Sequence, residues 1–214
     1  MPPRLRIRQH VNPLRAEYQK LRGVELELPA RPVEVELGCA DARFSLARAA
    51  AEPERHFVGI EIREEMAAFV NRVARERGLP NFVAVFANMN RDLPALFARR
   101  AVARYHLLFP DPWFKKRHHK RRVVTPELID DLHATLEPGG ELSFASDVWE
   151  VALDAMAELE ARDDLFTNRA GPWSFWRGEP EAHSKRDLAC QRKGWPVWRM
   201  RYRKLPIVAG SCRG

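Results

Sequence analysis

Short apolar runs alternate with longer amphipathic stretches along most of the chain, and this alternation is the strongest constraint on the fold. Five apolar runs have the length and residue content of buried strands: Val33–Leu37, Phe57–Ile62, Phe82–Ala87, Tyr105–Phe109 and Gly140–Ser146. Five stretches have helical spacing of apolar residues: Phe44–Ala51, Glu64–Arg77, Leu93–Ala98, Pro126–Leu136 and Trp149–Ala161. This order predicts an α/β fold with a mostly parallel, doubly wound sheet and helices on both faces.

The two ends of the chain differ from this pattern. Val197–Leu205 alternates apolar and basic residues, which predicts a half-exposed final strand, and we expect it to be antiparallel. Residues 165–182 are rich in glycine, proline and tryptophan and predict a long loop. Residues 1–30 are rich in arginine and lack clear periodicity. We therefore expect a basic N-terminal arm before a single domain over residues 31–214.

Positive charge is concentrated in two short tracts. The chain carries 36 Lys and Arg against 29 Asp and Glu, a formal net charge of +7. Residues 115–122 hold six cations and no acid, and residues 185–204 hold eight cations and one acid, so the rest of the chain is net acidic. A single basic run is usually a solvated surface. Two such tracts on an acidic body favour a localised surface that binds a polyanion such as nucleic acid.

Cysteine content and hydropathy argue against several classes of protein. Cys39, Cys190 and Cys212 are odd in number and widely spaced, which argues against a disulfide framework or a zinc site and suits a reducing cytosol. No segment approaches the ~20 apolar residues of a membrane span, and the N-terminus lacks the apolar stretch of a signal peptide. We therefore expect a cytoplasmic protein with no membrane role and no metal. The sequence does not decide between monomer and homodimer.

A polar residue lies at or just after the end of each predicted strand. In chain order these residues are Glu36, Glu61, Asn88, Asp111 and Asp147. Ligands of doubly wound sheets bind at the carboxyl ends of the strands, so we expect these side chains to converge on one site. A carboxylate that ends the second strand can accept hydrogen bonds from both hydroxyls of a ribose.

The turn after the first strand indicates which nucleoside-like ligand fits. It reads GCADAR at residues 38–43 and lacks the glycines that bring a helix N-terminus to a pyrophosphate. Asp41 would repel that group, which disfavours a nicotinamide cofactor. S-adenosylmethionine carries a sulfonium and an amino acid but no phosphate, so acidic neighbours suit it and Glu36 could face its cationic end. A helix cap or a surface charge explains Glu36 or Asp41 equally well when each is taken singly.

The segment LFPDPWFKKRHHKRR at residues 108–122 joins a buried strand to a basic run. Two prolines flank Asp111 where the strand ends, and the cations follow at once. A carboxylate beside a surface that attracts phosphate is the arrangement of an enzyme that acts on nucleic acid. His118 and His119 are adjacent, so their side chains point apart and form a poor metal pair.

This block, together with VELGCADARFSLA, GIEIR, ASDVW and SKRDLACQRKGWPVWRMRY, resembles the bacterial tRNA (guanine-N7-)-methyltransferase family over nearly the whole chain. The resemblance implies a Rossmann-like class I methyltransferase fold with S-adenosylmethionine as the methyl donor. It implies methyl transfer to N7 of a guanosine at position 46, in the variable loop of tRNA. The expected partner of the basic tracts is then tRNA.

The resemblance also implies roles for individual residues. Asp111 stands at the family's catalytic aspartate, which also contacts the cofactor. The other implied cofactor-binding residues are Glu36, Gly38, Glu61 and Asn88. The implied substrate-binding residues are Lys115, Asp147, Ser184 and Asp187. The implied RNA-contacting run is Lys116, Arg117, His118, His119, Lys120, Arg121 and Arg122.

A few positions depart from the family pattern. Ala40 and Ala42 stand in a turn that is usually richer in glycine, and Asn88 replaces a usual aspartate. Ser184 and Asp187 keep the hydroxyl and the carboxylate of a Thr-x-x-Glu pattern. Two alternatives stay open: a methyltransferase of the same fold that acts on another RNA, and a diverged paralogue that binds RNA with weak or no methyl transfer.

Overall fold

The computed structural model of the chain describes residues 11–13, 15–18, 25–112 and 123–206. Within these residues one sheet has the strand order β3-β2-β1-β4-β5-β7-β6. Its strands are β1 (Val33–Leu37), β2 (His56–Glu61), β3 (Phe82–Phe86), β4 (Val102–Leu108), β5 (Leu136–Ser146), β6 (Phe166–Asn168) and β7 (Trp198–Lys204). The first five pair in parallel, whereas β7 is antiparallel to both β5 and β6. The predicted α/β fold, mostly parallel with an antiparallel C-terminal strand, is confirmed.

Helices pack on both faces of the sheet. In the described residues they are α1 (Arg43–Ala51), α2 (Glu64–Glu76), α3 (Leu93–Leu96), α4 (Pro126–Thr135), α5 (Trp149–Glu160) and α6 (Lys185–Lys193). Alternate residues of β2 point into two separate core clusters, one on each face of the sheet. Val58 and Ile60 join the larger core cluster, with residues of α3, α4 and α5, whereas Phe57 joins the smaller cluster with α1 and α2. This alternation is the period of two that a strand buried on both faces requires.

Three features of the structure differ from the sequence predictions. The segment predicted as a loop over residues 165–182 contains β6, which forms because it pairs with β7. The helix α6 was not predicted. The turn expected at residues 138–140 lies within β5, where a register shift places Val102 opposite Leu136 but Arg104 opposite Glu141. The intervening residues therefore bulge from the ladder instead of separating a helix from a strand.

Part of the predicted N-terminal arm packs on the domain. Leu26 and Leu28 contact the larger core cluster, and the backbone N–H of Leu26 donates to the carbonyl of Leu96 at 2.9 Å. The apolar side chains of this stretch are therefore partly buried, although its sequence lacks the periodicity of a helix or a strand.

A buried ionic network joins β1 to its neighbours. Glu34 is 1% exposed and accepts hydrogen bonds from Arg48 at 3.1 Å, Arg55 at 3.1 Å and His106 Nε2 at 2.7 Å. Burial opposes the ionisation of Glu34, but the hydrogen bond from His106 and the charges of Arg48 and Arg104 outweigh it and lower the pKa to about 2. Burial lowers the pKa of His106, so its imidazole donates as a neutral ring.

We expect the substitution Glu34→Ala to lower the free energy of unfolding by about 3 kcal/mol, because it leaves the buried Arg48 with only the partly exposed carboxylate of Glu52 and leaves His106 without its buried acceptor. The lowered pKa means that Glu34 stabilises the fold above its ordinary value of 4.5 and loses this effect as the pH falls towards 2. Urea unfolding of both proteins at pH 7 and pH 3 measures this. A difference between the proteins that stays constant over this range would contradict the assignment.

Candidate cofactor and substrate site

A cavity of about 290 Å³ opens at the carboxyl ends of the parallel strands. Its volume is close to the lower end of the range for small-molecule sites, roughly 300–1,000 Å³. Its lining includes these residues predicted for the site: Glu36, Gly38, Glu61, Asn88, Asp111 and Ser184. The structure therefore brings together all five predicted cofactor-binding positions and one predicted substrate-binding position.

Glu36 presents a buried carboxyl group to this cavity. It is 4% exposed, and its Oε2 accepts hydrogen bonds from the backbone N–H of Ser45 at 3.3 Å and from the Ser45 hydroxyl at 2.6 Å. Among the described residues, no hydrogen bond reaches Oε1. Burial raises the pKa of Glu36 to about 7; the Ser45 bonds oppose this rise, and the negative charges of Asp41 and Glu61 add to it. A cation beside Glu36 would favour the ionised form.

Glu61 ends β2 with both carboxylate oxygens occupied. Oε1 accepts from the backbone N–H and the Nε of Arg63, at 3.0 and 2.8 Å. Oε2 accepts from Nη2 of Arg63 at 2.8 Å and from the backbone N–H of Ala40 at 3.0 Å. Its hydrogen bond to Glu61 raises the pKa of Arg63 despite burial. Sequence analysis missed Arg63, although its spacing of two from Glu61 at a strand end places both on one side of the chain.

The turn from β1 to α1 uses the left-handed region at three residues. Gly38 has φ +73°, and Ala40 and Ala42 each have φ +47°. A Cβ on Gly38 would also lie 3.2 Å from Cε of Met89. This position therefore favours glycine both for its backbone conformation and for the close approach of Met89. Each alanine adopts the same region at a cost of roughly 1–2 kcal/mol. The turn directs the N–H of Ala40 to Glu61, which ties the turn to the end of β2.

Asn88 connects the cavity to the N-terminal segment. Its Nδ2 donates to the carbonyl of Tyr18 at 2.9 Å and to that of Pro13 at 3.4 Å. Val11 and Pro13 line the same cavity. The N-terminal segment, which sequence analysis treated only as a basic arm, therefore supplies part of the cavity wall.

Comparisons with known proteins identify the family of this chain. Residues 30–200 match a family model whose description is "Putative methyltransferase". A tRNA (guanine-N(7)-)-methyltransferase of Synechococcus elongatus is 40% identical over 212 residues, which cover 95% of this chain and 98% of that protein. Its counterpart in a Synechocystis species is 35% identical over 212 residues, with 95% and 99% covered. The chain belongs to the tRNA (guanine-N(7)-)-methyltransferase family.

The solved structures support the fold of this methyltransferase. A 16S rRNA (adenine(1408)-N(1))-methyltransferase from Catenulisporales acidiphilia, solved with its cosubstrate SAM, superposes with a TM-score of 0.56. It is 18% identical, and the match covers 83% of this chain and 86% of that one. At this identity the likeness shows the class I methyltransferase fold alone. The family and the fold implied by the sequence resemblance are both confirmed.

The predicted substrate residues Ser184 and Asp187 lie at the start of α6 and have structural contacts. The Ser184 hydroxyl caps the helix by accepting from the backbone N–H of Asp187 at 3.2 Å. Asp187 is 2% exposed, and its carboxylate binds Arg199 at 2.6 Å and His183 at 2.6 Å. Ser184 lines the cavity, whereas Asp187 lines a smaller neighbouring cavity. The methyltransferase therefore does not bring Asp187 into the main cavity.

Asp147 also lies outside the lining of the main cavity. It follows β5 directly and accepts from Nε of Arg186 at 3.0 Å and from Nη2 at 2.5 Å. Arg186 itself lines the cavity. The ion pair therefore fixes Asp147 at the edge of the site, one side chain away from the space that a ligand would fill.

Four of the eight cations of the second basic tract form ion pairs within the fold. Ion pairs join Arg186 to Asp147, Arg199 to Asp187, Arg201 to Glu181 and Arg203 to Glu141. The ammonium of Lys204 is buried and donates to the carbonyls of His133 and Leu136. Among the described residues, the exposed cations of the tract that form no ion pair are Lys185, Arg192 and Lys193, all on α6. The predicted polyanion surface over residues 185–204 is therefore much smaller than its formal charge suggests.

Some predicted residues lie outside the described part of the chain, and two further predictions concern metal sites and membrane-spanning helices. The predicted substrate-binding Lys115 and the RNA-contacting run over residues 116–122 lie outside the described residues. Within the described ranges, no group of three or more histidine, cysteine or acidic side chains is arranged to hold a metal ion. In that same part of the chain, no helix has the length and hydropathy needed to cross a bilayer.

We expect Asp187→Ala to lower the free energy of unfolding by about 3 kcal/mol or more, because Arg199 loses its buried partner. Ser184→Ala removes only a helix cap and should cost about 1 kcal/mol. Thermal and urea unfolding of both variants measures the difference. If Asp187 served only to contact a substrate, its replacement would leave the stability unchanged.

Proposed function

We propose that this methyltransferase transfers a methyl group from S-adenosylmethionine to N7 of a guanosine at position 46, in the variable loop of tRNA. One observation carries the proposal: in a member of this family, Glu36, Glu61, Asn88 and Asp111 line one cavity at the carboxyl ends of the strands. A tRNA substrate also favours a cytoplasmic location. Two buried free cysteines, Cys39 and Cys190, are compatible with a reducing compartment.

The cavity suits S-adenosylmethionine better than a dinucleotide. The N–H of Ala40, which a pyrophosphate would need, donates instead to Glu61, and Asp41 lies beside it in the lining. Glu36, whose pKa burial raises to about 7, would gain from a cation such as the methionine ammonium. We assign Glu61 to the ribose hydroxyls, because a carboxylate accepts from both at once. When bound, the cofactor supplies a methyl group activated by a sulfonium.

The chemistry requires alignment more than proton transfer. Guanine N7 has an in-plane lone pair on the major-groove edge, so no base needs to remove a proton before attack. The protein must align N7 with the methyl group and the sulfur. Positive charge passes to the purine during transfer, and a fixed carboxylate near the ring stabilises it. We assign this role to Asp111, which lines the cavity after β4.

A guanosine within folded RNA must leave its stack to reach the cavity, at a cost of a few kcal/mol. Phosphate contacts offset this cost and make binding depend on salt. We assign these contacts to the basic run at residues 115–122 and to the exposed cations Lys185, Arg192 and Lys193 of α6. They position the RNA without reading its sequence. Asp147 and Asp187 remain candidates for selecting guanine, and in this assignment each would have to exchange an arginine for the base.

We expect Asp111→Ala to reduce methyl transfer to unmodified tRNA by at least about a hundredfold, the scale of losing one preorganised electrostatic group. Binding of tRNA should change little, because phosphate contacts dominate it. Radiolabelled methyl transfer followed by digestion measures the product, and filter binding measures affinity. Asp154→Ala is the matched control. Asp111 and Asp154 both line the adjacent cavity, but the lining of the main cavity includes Asp111 and not Asp154.

The product of this assay also tests the function itself. N7-methylguanosine in the variable loop supports the proposal. A methylated base elsewhere would instead support a methyltransferase that acts on another RNA site. Retained tRNA binding without transfer by the wild-type protein would favour the RNA-binding paralogue.

We expect the affinity for S-adenosylmethionine to fall as the pH drops from 8 to 6. Glu36 has a pKa raised to about 7, so acidification protonates it and removes the charge that faces the cofactor's cation. Calorimetric titration at several pH values measures the slope, which should approach tenfold per unit below pH 7. Adenosine, which lacks the amino acid, should bind with little pH dependence. A Glu36→Gln variant that keeps the wild-type slope would contradict the assignment.

A further inference from the structure

We propose that Asn88 is a positioning residue, which holds residues 11–13 and 15–18 as a wall of the cofactor cavity. This inference rests on the proposed cofactor site, because the cavity that the wall encloses is the one assigned to S-adenosylmethionine. It gives the N-terminal segment a role in cofactor retention that its composition does not suggest.

Both donor hydrogens of the Asn88 side chain are already used. Its amide nitrogen has two hydrogens, and Nδ2 donates to the carbonyls of Tyr18 at 2.9 Å and Pro13 at 3.4 Å. Its Oδ1 accepts from the backbone N–H of Asn90 at 3.1 Å. Only the second lone pair of Oδ1 is left for an adenine amine, whereas both donor hydrogens bind the N-terminal segment directly.

The backbone of Asn88 is held as firmly as its side chain. Its N–H donates to Oδ2 of Asp92 at 2.7 Å. Its carbonyl accepts from the N–H groups of Arg91 at 3.0 Å and Asp92 at 2.9 Å. The residue is 4% exposed. A fixed side chain with two donors therefore faces two carbonyls that lie 70 or more positions earlier in the chain.

The segment that Asn88 binds forms part of the cavity surface. Val11 and Pro13 line the cavity together with Glu36 and Glu61. If the segment moved away, the ligand would lose apolar contact on one side and the polar residues would meet water. Since a ligand that packs against the segment stabilises it, cofactor binding and docking of the segment are reciprocally coupled.

The same geometry explains why asparagine stands where the family resemblance implies a usual aspartate. A carboxylate has no hydrogen to donate, and at position 88 it would face two carbonyl oxygens at close range. Aspartate would therefore repel the segment that asparagine binds. The amide is required by the contact with residues 11–13 and 15–18, whereas an acceptor for adenine could be either residue.

Limited trypsin digestion in the absence of ligand tests the proposal directly. Arg15 is exposed within the segment, and cleavage after it reports on local release. Asn88→Asp should accelerate this cleavage by about fivefold or more, the factor expected for one lost hydrogen bond. Asn90→Asp is the matched control. Asn90 lines the same cavity, but its Nδ2 donates to the carbonyl of Val123 at 2.7 Å, so the cleavage rate should stay within about twofold of wild type.

Two further measurements separate positioning from a general structural role. S-adenosylhomocysteine should slow cleavage after Arg15 in the wild-type protein and should do so less in Asn88→Asp. The KM for S-adenosylmethionine should rise by about fivefold in Asn88→Asp while kcat changes by less than about twofold, because the wall affects binding and not the alignment of the reacting atoms.

Unchanged cleavage after Arg15 in Asn88→Asp, or equal acceleration in Asn90→Asp, would overturn the proposal. If Asn88→Asp fails to fold by circular dichroism, Asn88→Ala replaces it, because it removes the donors without adding a charge, and the same outcomes apply. If S-adenosylhomocysteine does not bind the wild-type protein in calorimetry, the proposed cofactor site fails. The ligand-free digestion still decides whether Asn88 holds the segment.

Discussion

The parallel pairing of β1 with both β2 and β4 is the constraint on which the rest of the site depends. Leu37 lies opposite Ile60 on one side and Leu107 on the other, so the three strands end at one edge of the sheet. Residues that follow these ends converge because the backbone ladder aligns them, and not because they attract one another. The cavity is thus a product of strand register, and the acidic side chains that line it are held close together despite their mutual repulsion.

Much of the fold could be predicted because its signals are local. Buried parallel strands need apolar runs on both faces, and the five predicted runs correspond to β1 to β5 with end points that differ by a few residues. Two features that escaped prediction depend on distant partners. β6 has three residues and forms only against β7, and the turn expected near Gly139 becomes a bulge because β4 continues beside it. Periodicity in a single segment carries no information on such pairing.

The candidate site was predictable to a similar extent and for a similar reason. Strand-end positions follow from topology, so Glu36, Glu61 and Asn88 meet as expected. Formal charge was a poorer guide, since ion pairs join residues far apart in the chain. Arg199 belongs to a tract predicted to bind RNA, and Asp187 was predicted to bind guanine. In the structure the two side chains bind each other inside the protein. The formal charge of a tract indicates how strongly it can bind a polyanion only after its ion pairs within the protein are subtracted.

The pairing of Glu61 with Arg63 changes what the binding of a ribose would mean. A carboxylate has about four acceptor sites, and here two are filled by backbone N–H groups and two by the Arg63 side chain. A diol would therefore enter by exchange: the guanidinium leaves, and two hydroxyls replace its two hydrogen bonds. Only the difference between those two sets of bonds would contribute to affinity. A nucleoside lacking one hydroxyl would displace the arginine at the same cost and return one hydrogen bond fewer to Glu61. The arginine therefore lowers the affinity for both nucleosides, and the preference for an intact ribose comes from the second hydroxyl alone.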